Sequence, residues 1–173
     1  MKISLVMLQS LDGIISTGPD DNLKWGTKED KKYFQQKAEE ADCLIMGLST
    51  FITLPAVIYK EKKALVFSFN PKEQIEYVDK YPNLIFFSGT PKEGVKELEN
   101  IGVENALLMG GGSVNGQFVK SGLLDDIYIT IAPKIFGKGV KIFGDKEMDV
   151  DLKLVSIEKF TENEILVHYS LKK

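Results

Sequence analysis

Two stretches of this sequence carry residues whose types and spacing suit chemistry. The first, LKWGTKEDKKYF, places Asp30 three residues after Thr27. That is the pattern of a helix start in which the hydroxyl and the acid receive the first backbone amides, and capping alone would account for it. Trp25, Tyr33 and Phe34 stand around the same carboxyl. An acid set among aromatic surface loses hydration, so its pKa rises and it can hydrogen-bond a protonated heterocycle.

The second stretch, ALLMGGGSVNGQFVKSGLLDD, reads as an apolar strand, three glycines and a helix. Val114, Phe118 and Val119 are expected inward and Asn115, Gln117 and Lys120 outward. Glycines at a strand-to-helix turn let the backbone approach a ligand, and the helix start offers amides to a pyrophosphate. Asn115 stands where the third glycine of the Rossmann pattern would fall, and no Lys-Ser/Thr follows as in a Walker loop. A tight turn without a ligand explains three bare glycines equally well. CLIMGLSTF places Gly47, Ser49 and Thr50 after a strand and ahead of an apparent turn, and LVFSFNPK does the same with Ser68 and Lys72. Hydroxyls at the ends of neighbouring strands suit a second phosphate. Thr130, in IYITIAP, is the one polar side chain near the middle of an apolar strand and requires a partner. His168 is the only histidine and has no Cys, Asp or Ser constellation, so a structural or surface role is expected. No cluster has metal-ligand spacing and no Gly-x-Ser-x-Gly elbow occurs, which sets aside metalloenzyme and hydrolase readings.

Apolar runs at 3–8, 43–46, 64–67, 84–87, 106–109, 127–132 and 165–171 alternate with helix-like segments at 28–41, 91–100 and 114–121. That alternation predicts a layered α/β domain over residues 1–173, with a central mixed, mostly parallel sheet and helices on both faces. GKGVKIFG reads as a glycine-punctuated loop, and LKLVSIEKF and EILVHYSL as an antiparallel hairpin joined at 161–163. The chain is 43% hydrophobic and 27% charged with a net charge of −3. It is expected to bury a core, and it lacks the positive field that nucleic-acid binding requires. The N-terminal apolar run is too short to span a membrane and reads as the first strand. A lone cysteine, Cys43, fits a reducing, cytoplasmic setting.

In order along the chain, ISLVMLQSLDGII, LKWGTKEDKKYF, LIMGLSTF, LVFSFNP and LLMGGGSVNGQF together resemble the dihydrofolate reductase superfamily. SLDGII, GLLDDIYITIAPKIFGKG and NEILVHYSLKK are closer to its riboflavin-biosynthesis reductases, the type found as the C-terminal domain of the bifunctional deaminase-reductase. The resemblance implies a three-layer dihydrofolate reductase-like fold and an NADPH-dependent reductase acting on a small pyrimidine or pterin. The 5-amino-6-(5-phosphoribosylamino)uracil reductase type leads, with a dihydrofolate reductase and a non-catalytic nucleotide-binding module as alternatives. It assigns Asp30 and Thr130 to catalysis, and Trp25, Asp30 and Phe34 to substrate. Gly110, Gly111, Gly112, Ser113, Val114 and Gln117 would hold the cofactor across a cis Gly110–Gly111 peptide. Gly47, Ser49, Thr50, Ser68 and Ser88 would line its adenosine end, and Leu8 and Ile15 would flank the nicotinamide. The loop 16–23 is expected as a lid and a homodimer as the assembly. The zinc-deaminase signature of the bifunctional enzyme is absent, as is an arginine between Leu54 and Lys63.

Overall fold

The apolar runs pair edge to edge because their backbone groups must find partners once the side chains are buried. The computed structural model describes residues 1–18, 21 and 23–171. Its strands are β1 (Lys2–Ser10), β2 (Ile14–Ser16), β3 (Cys43–Gly47), β4 (Lys63–Phe67), β5 (Leu84–Phe87), β6 (Asn105–Leu108), β7 (Asp126–Ala132), β8 (Val140–Lys141), β9 (Leu152–Lys159) and β10 (Ile165–Leu171). Its α-helices are α1 (Lys28–Glu40), α2 (Leu48–Thr53), α3 (Ile75–Lys80), α4 (Pro91–Asn100) and α5 (Gly112–Lys120). Eight strands form one sheet in the order β5-β4-β3-β6-β1-β7-β10-β9, and β2 pairs with β8 separately. The sheet is parallel from β5 to β7, and the β9–β10 hairpin adds antiparallel strands at the far edge.

Alternation along the strands sorts the core into two layers. Ile3, Leu5, Ile45, Leu65, Leu108 and Ile127 point to one face, where they meet Val95 and Leu98 of α4 and Phe118 and Val119 of α5. Val6, Leu44, Met46, Val66 and Leu107 point to the other, where Ala38 of α1 and Phe51 of α2 cover them. Helices on both faces of a mixed sheet make the expected three-layer dihydrofolate reductase-like architecture.

Several local expectations need correction. The turn expected around Ser49 and Thr50 is the helix α2, and α3 carries its own helical turn after β4. The glycine-punctuated loop contains β8, which reaches back to pair with β2. These pieces are two to six residues long, too short for a periodicity to show. His168, read from sequence as lacking an acid partner, does have one: its Nε2 lies 2.6 Å from Asp126 Oδ1, and its ring stacks on Tyr128. Asp126 also receives Lys2 Nζ at 2.8 Å. This cluster sits at the start of β7, four residues before Thr130.

Candidate active site

Strand order brings the two chemical stretches together. β1 lies between β6, which ends in the glycine turn, and β7, which carries Thr130. Leu8 pairs directly with Thr130 and belongs to both neighbourhoods. The C-terminal ends of parallel strands are where open α/β sheets form their ligand crevices.

On the β7 side, α1 begins under the hydroxyl of Thr27, which accepts the amide of Asp30 at 3.2 Å. The expected capping role of Asp30 itself is not formed; its carboxyl turns toward β1 and β7. A Cβ added at Gly26 would meet Leu8 Cδ2 at 2.5 Å and stand 3.6 Å from Asp30 Oδ2, so this glycine lets the acid approach the strand. Asp30 is 7% exposed. Burial pushes its carboxyl above the usual carboxylate range; Thr130 opposes the shift, the charge of Glu164 adds to it, and Lys31 opposes it. Thr130 Oγ1 faces the acid closely enough to favour its anion, yet it is buried outside good hydrogen-bond geometry.

Among the described residues, the buried side-chain atoms lacking a hydrogen-bond partner are Thr130 Oγ1, Glu164 Oε1 and Asn115 Oδ1. Two flank Asp30 and the third lies beside Gly110. Buried polar groups are ordinarily satisfied, so two unpartnered atoms beside one buried acid call for an explanation, which a site supplies.

The substrate aromatics are distributed unequally. Trp25 donates through Nε1 to Asp21 and meets Phe136 edge-on at 5.3 Å. Tyr33 lies between Tyr128 and Phe160, and Phe34, one turn beyond Asp30, packs against the core. Of the expected lid, Pro19, Asp20 and Asn22 fall outside the described residues; Asp21 ties Thr17, Leu23 and Trp25 together.

On the β6 side, the peptide between Gly110 and Gly111 is cis, and Gly110 has φ 93°. The Gly47 amide donates to the Gly110 carbonyl at 2.8 Å, locking β3 to the turn. Gly111 caps α5 without a side chain, and since the Val114 amide already donates to the Gly111 carbonyl, the amides of Gly112 and Ser113 are the ones facing an external acceptor. A groove of about 550 Å³ opens here, lined by Gly47, Ser49, Thr50, Ser68, Ser88, Gly111, Gly112, Ser113, Val114 and Gln117. Of the other expected cofactor residues, Gly110 lies just behind the turn, Leu8 lies toward Asp30, and Ile15 is buried in the core. Sequence reasoning missed Leu48, Phe67, Phe69, Phe87, Gly89 and Val140 in the lining. Phe69 stands 98% exposed on the rim, and no sequence pattern distinguishes it from a core phenylalanine.

Asn115 corrects an expectation. It is wholly buried rather than outward, and its Nδ2 donates to the Ile142 carbonyl at 2.8 Å. The segment after β8 returns across α5, where a Cβ on Gly112 or Gly116 would collide with the carbonyl oxygens of Lys141 and Phe143. That long-range cover is invisible in local periodicity.

The lining fits a dinucleotide: an uncapped helix start, hydroxyls on three neighbouring strand ends and an exposed aromatic face. All 22 basic residues of the chain are lysines, so no guanidinium fork exists for any phosphate.

Residues 1–166 match the family model of the RibD C-terminal domain. The chain belongs to that family. A curated relative, the uncharacterized protein YwjB of Bacillus subtilis, is 24% identical over 97% of both chains. A putative riboflavin biosynthesis protein from Shewanella superposes with a TM-score of 0.79 at 23% identity over the full length of both. The Thermotoga maritima diaminohydroxyphosphoribosylaminopyrimidine deaminase/5-amino-6-(5-phosphoribosylamino)uracil reductase gives 0.78 at 19% identity; 99% of this RibD-type chain covers 56% of that one. Dihydrofolate reductase from Enterococcus faecalis gives 0.71 at 16% identity over 99% and 97% of the two chains. At such identities the superpositions establish a shared fold. Among the described residues of this RibD-family domain, no helix is long and apolar enough to cross a membrane.

Proposed function

We propose that the protein is an NADPH-dependent reductase of a pyrimidine-type ring compound, of the 5-amino-6-(5-phosphoribosylamino)uracil reductase type. The observation that carries this reading is a buried, protonation-prone Asp30 facing the unpartnered Thr130 hydroxyl, across β1 from a glycine turn that opens a dinucleotide-sized groove. Family membership supports the same reaction class.

When bound, NADPH supplies the hydride. The amides at the start of α5 would receive its pyrophosphate, with the Thr50 hydroxyl nearby; an added Cβ on Gly111 would lie 3.3 Å from Thr50 Oγ1. Ser49, Ser68 and Ser88 would hold the adenosine end, Phe69 would offer the adenine a stacking face, and Lys72 would balance the 2′-phosphate. Leu8, between the two halves of the site, would keep water from the nicotinamide face. Asp30 and Thr130 would orient the substrate nitrogen, and protonated Asp30 would hold the proton that accompanies hydride addition to a C=N or carbonyl carbon. We place the enzyme in the cytoplasm, where a single buried thiol, Cys43, is at ease. We expect a homodimer in which a second copy covers the outer strand β9; Leu154, Val155 and Ile157 there are 49%, 52% and 59% exposed.

The test is NADPH oxidation by purified protein with the phosphoribosylamino pyrimidine and with dihydrofolate in parallel, alongside Asp30→Asn. Turnover of the pyrimidine that disappears in the variant is the expected result. Turnover of dihydrofolate alone would reassign the substrate, and turnover undiminished in the variant would remove Asp30 from the chemistry.

A further inference from the structure

Glu164 lies in the turn between β9 and β10, where an acid is normally solvated, yet it is 2% exposed. Its Oε2 accepts from Thr27 Oγ1 at 2.7 Å and from Thr161 Oγ1 at 3.4 Å, while Oε1 is buried without a partner. The turn around it is well fixed: Glu164 N donates to Thr161 Oγ1, and Phe160 N donates to the Glu164 carbonyl. Its partners are hydroxyls rather than a cation. A neutral side chain would fill this position at lower cost.

Thr27 is the same residue that caps α1. Its hydroxyl has one proton, given to Glu164, and a lone pair that accepts from the Asp30 amide. The chain of bonds therefore runs in one direction, from the Asp30 backbone through Thr27 to Glu164, and each bond strengthens the next. Oε1 is too enclosed to touch a ligand, so whatever Glu164 does at the site it does through Asp30.

We infer that Glu164 is a positioning residue for Asp30: a buried second acid that, through the Thr27 hydroxyl it shares with the Asp30 amide, fixes the start of α1 and so the place of the Asp30 carboxyl in the site. The surroundings of Asp30 are accounted for element by element. β1 presents the apolar Leu8, β7 the Thr130 hydroxyl, the turn before β10 presents Glu164, and α1 itself presents Lys31. Of these, only Glu164 places a negative charge beside the carboxyl. A negative charge beside a poorly hydrated carboxyl favours the neutral form of that carboxyl. The inference rests on the assignment of Asp30 to the substrate site, where a retained proton is what reduction of a C=N or carbonyl group consumes.

The experiment is a carbon-13 NMR titration of the Asp30 carboxyl in aspartate-labelled full-length protein without cofactor or substrate, the resonance being assigned from Asp30→Asn. In Glu164→Gln, which keeps an acceptor for Thr27 and loses the charge, the Asp30 midpoint is expected to fall by more than the error of the titration. An unchanged midpoint accompanied only by a lower Tm would make Glu164 purely structural and overturn the inference. If Glu164→Gln does not fold, Glu164→Asp decides in the same way: retracting the charge by one methylene should lower the midpoint by a smaller amount, and no movement overturns the proposal. Because the titration needs neither NADPH nor substrate, failure to find turnover leaves it standing, and its own failure leaves the reduction assay untouched.

Discussion

Asp30→Asn should make the protein more stable while making it inactive, and the structure sets the sign. Burial first, and the nearby Glu164 charge further, hold the folded-state pKa of Asp30 above the ordinary value of 3.8. Between the unfolded and folded midpoints the folded chain binds more protons than the unfolded chain, so linkage makes stability fall as pH rises. Below the ordinary value both states are protonated and the penalty vanishes; above the folded midpoint it is complete. Asparagine has the same shape without the charge. At pH 8 it should therefore stabilise the fold by about 1 to 2 kcal/mol, the upper part of what a single stabilising substitution ordinarily gives. For a chain of this length that is a Tm rise of roughly 2 to 8 °C. Thermal unfolding followed by circular dichroism, on both proteins between pH 4 and pH 8, measures it. The gap should close as the pH is lowered. A variant less stable than the parent at pH 8, or a gap that does not change with pH, would refute the account of Asp30 as a destabilised acid. Turnover by the same variant should fall at least about a hundredfold, as expected for loss of a general acid.

The groove gives further tests. Gly112→Ala drives a Cβ into the backbone of Lys141 and within 3.2 Å of the Gly144 amide, so it should cost about 1 to 3 kcal/mol in chemical denaturation and abolish protection by NADPH. Asn115→Leu leaves the Ile142 carbonyl without its donor and should cost about 1 to 3 kcal/mol by the same measurement. Lys72→Ala should weaken NADPH in calorimetric titration while leaving NADH unchanged, because in the proposed site Lys72 balances the 2′-phosphate, which NADH lacks. Ile157→Lys, on the exposed face of β9, should convert a dimer to a monomer in light scattering without lowering Tm for the monomeric fold.

How much of this was legible in the sequence depends on the range over which each signal acts. The buried parallel strands announce themselves because both faces are covered, so β3 and β4 read as unbroken apolar runs. The Thr27 cap and the triple glycine are equally local; α1 starts where the pattern says, at Lys28, while α5 starts at Gly112, two residues before the expected 114, because its first turn is built from the glycines themselves. Asn115 misled because the segment that buries it follows β8, 27 residues later in the chain. Glu164 had no signal at all: in a polar turn between two strands, an acid looks like solvent-facing punctuation. It becomes informative only when the β9–β10 hairpin is laid beside β7 and its carboxylate is found bonded to Thr27, 137 residues away in sequence.

The same layout explains why the site needs the antiparallel edge of the sheet. The parallel strands β3 to β6 supply the groove from their C-terminal ends, with β6 giving the glycine turn, and β1 sets Leu8 between that groove and the acid. Thr130 arrives with β7, and only the hairpin beyond it closes the acid against water. A chain cut before β9 would therefore keep the groove's lining residues but lose the second carboxyl and the cover over Asp30. In the proposed reaction, hydride donation and proton retention thus depend on different parts of one sheet, joined at β1.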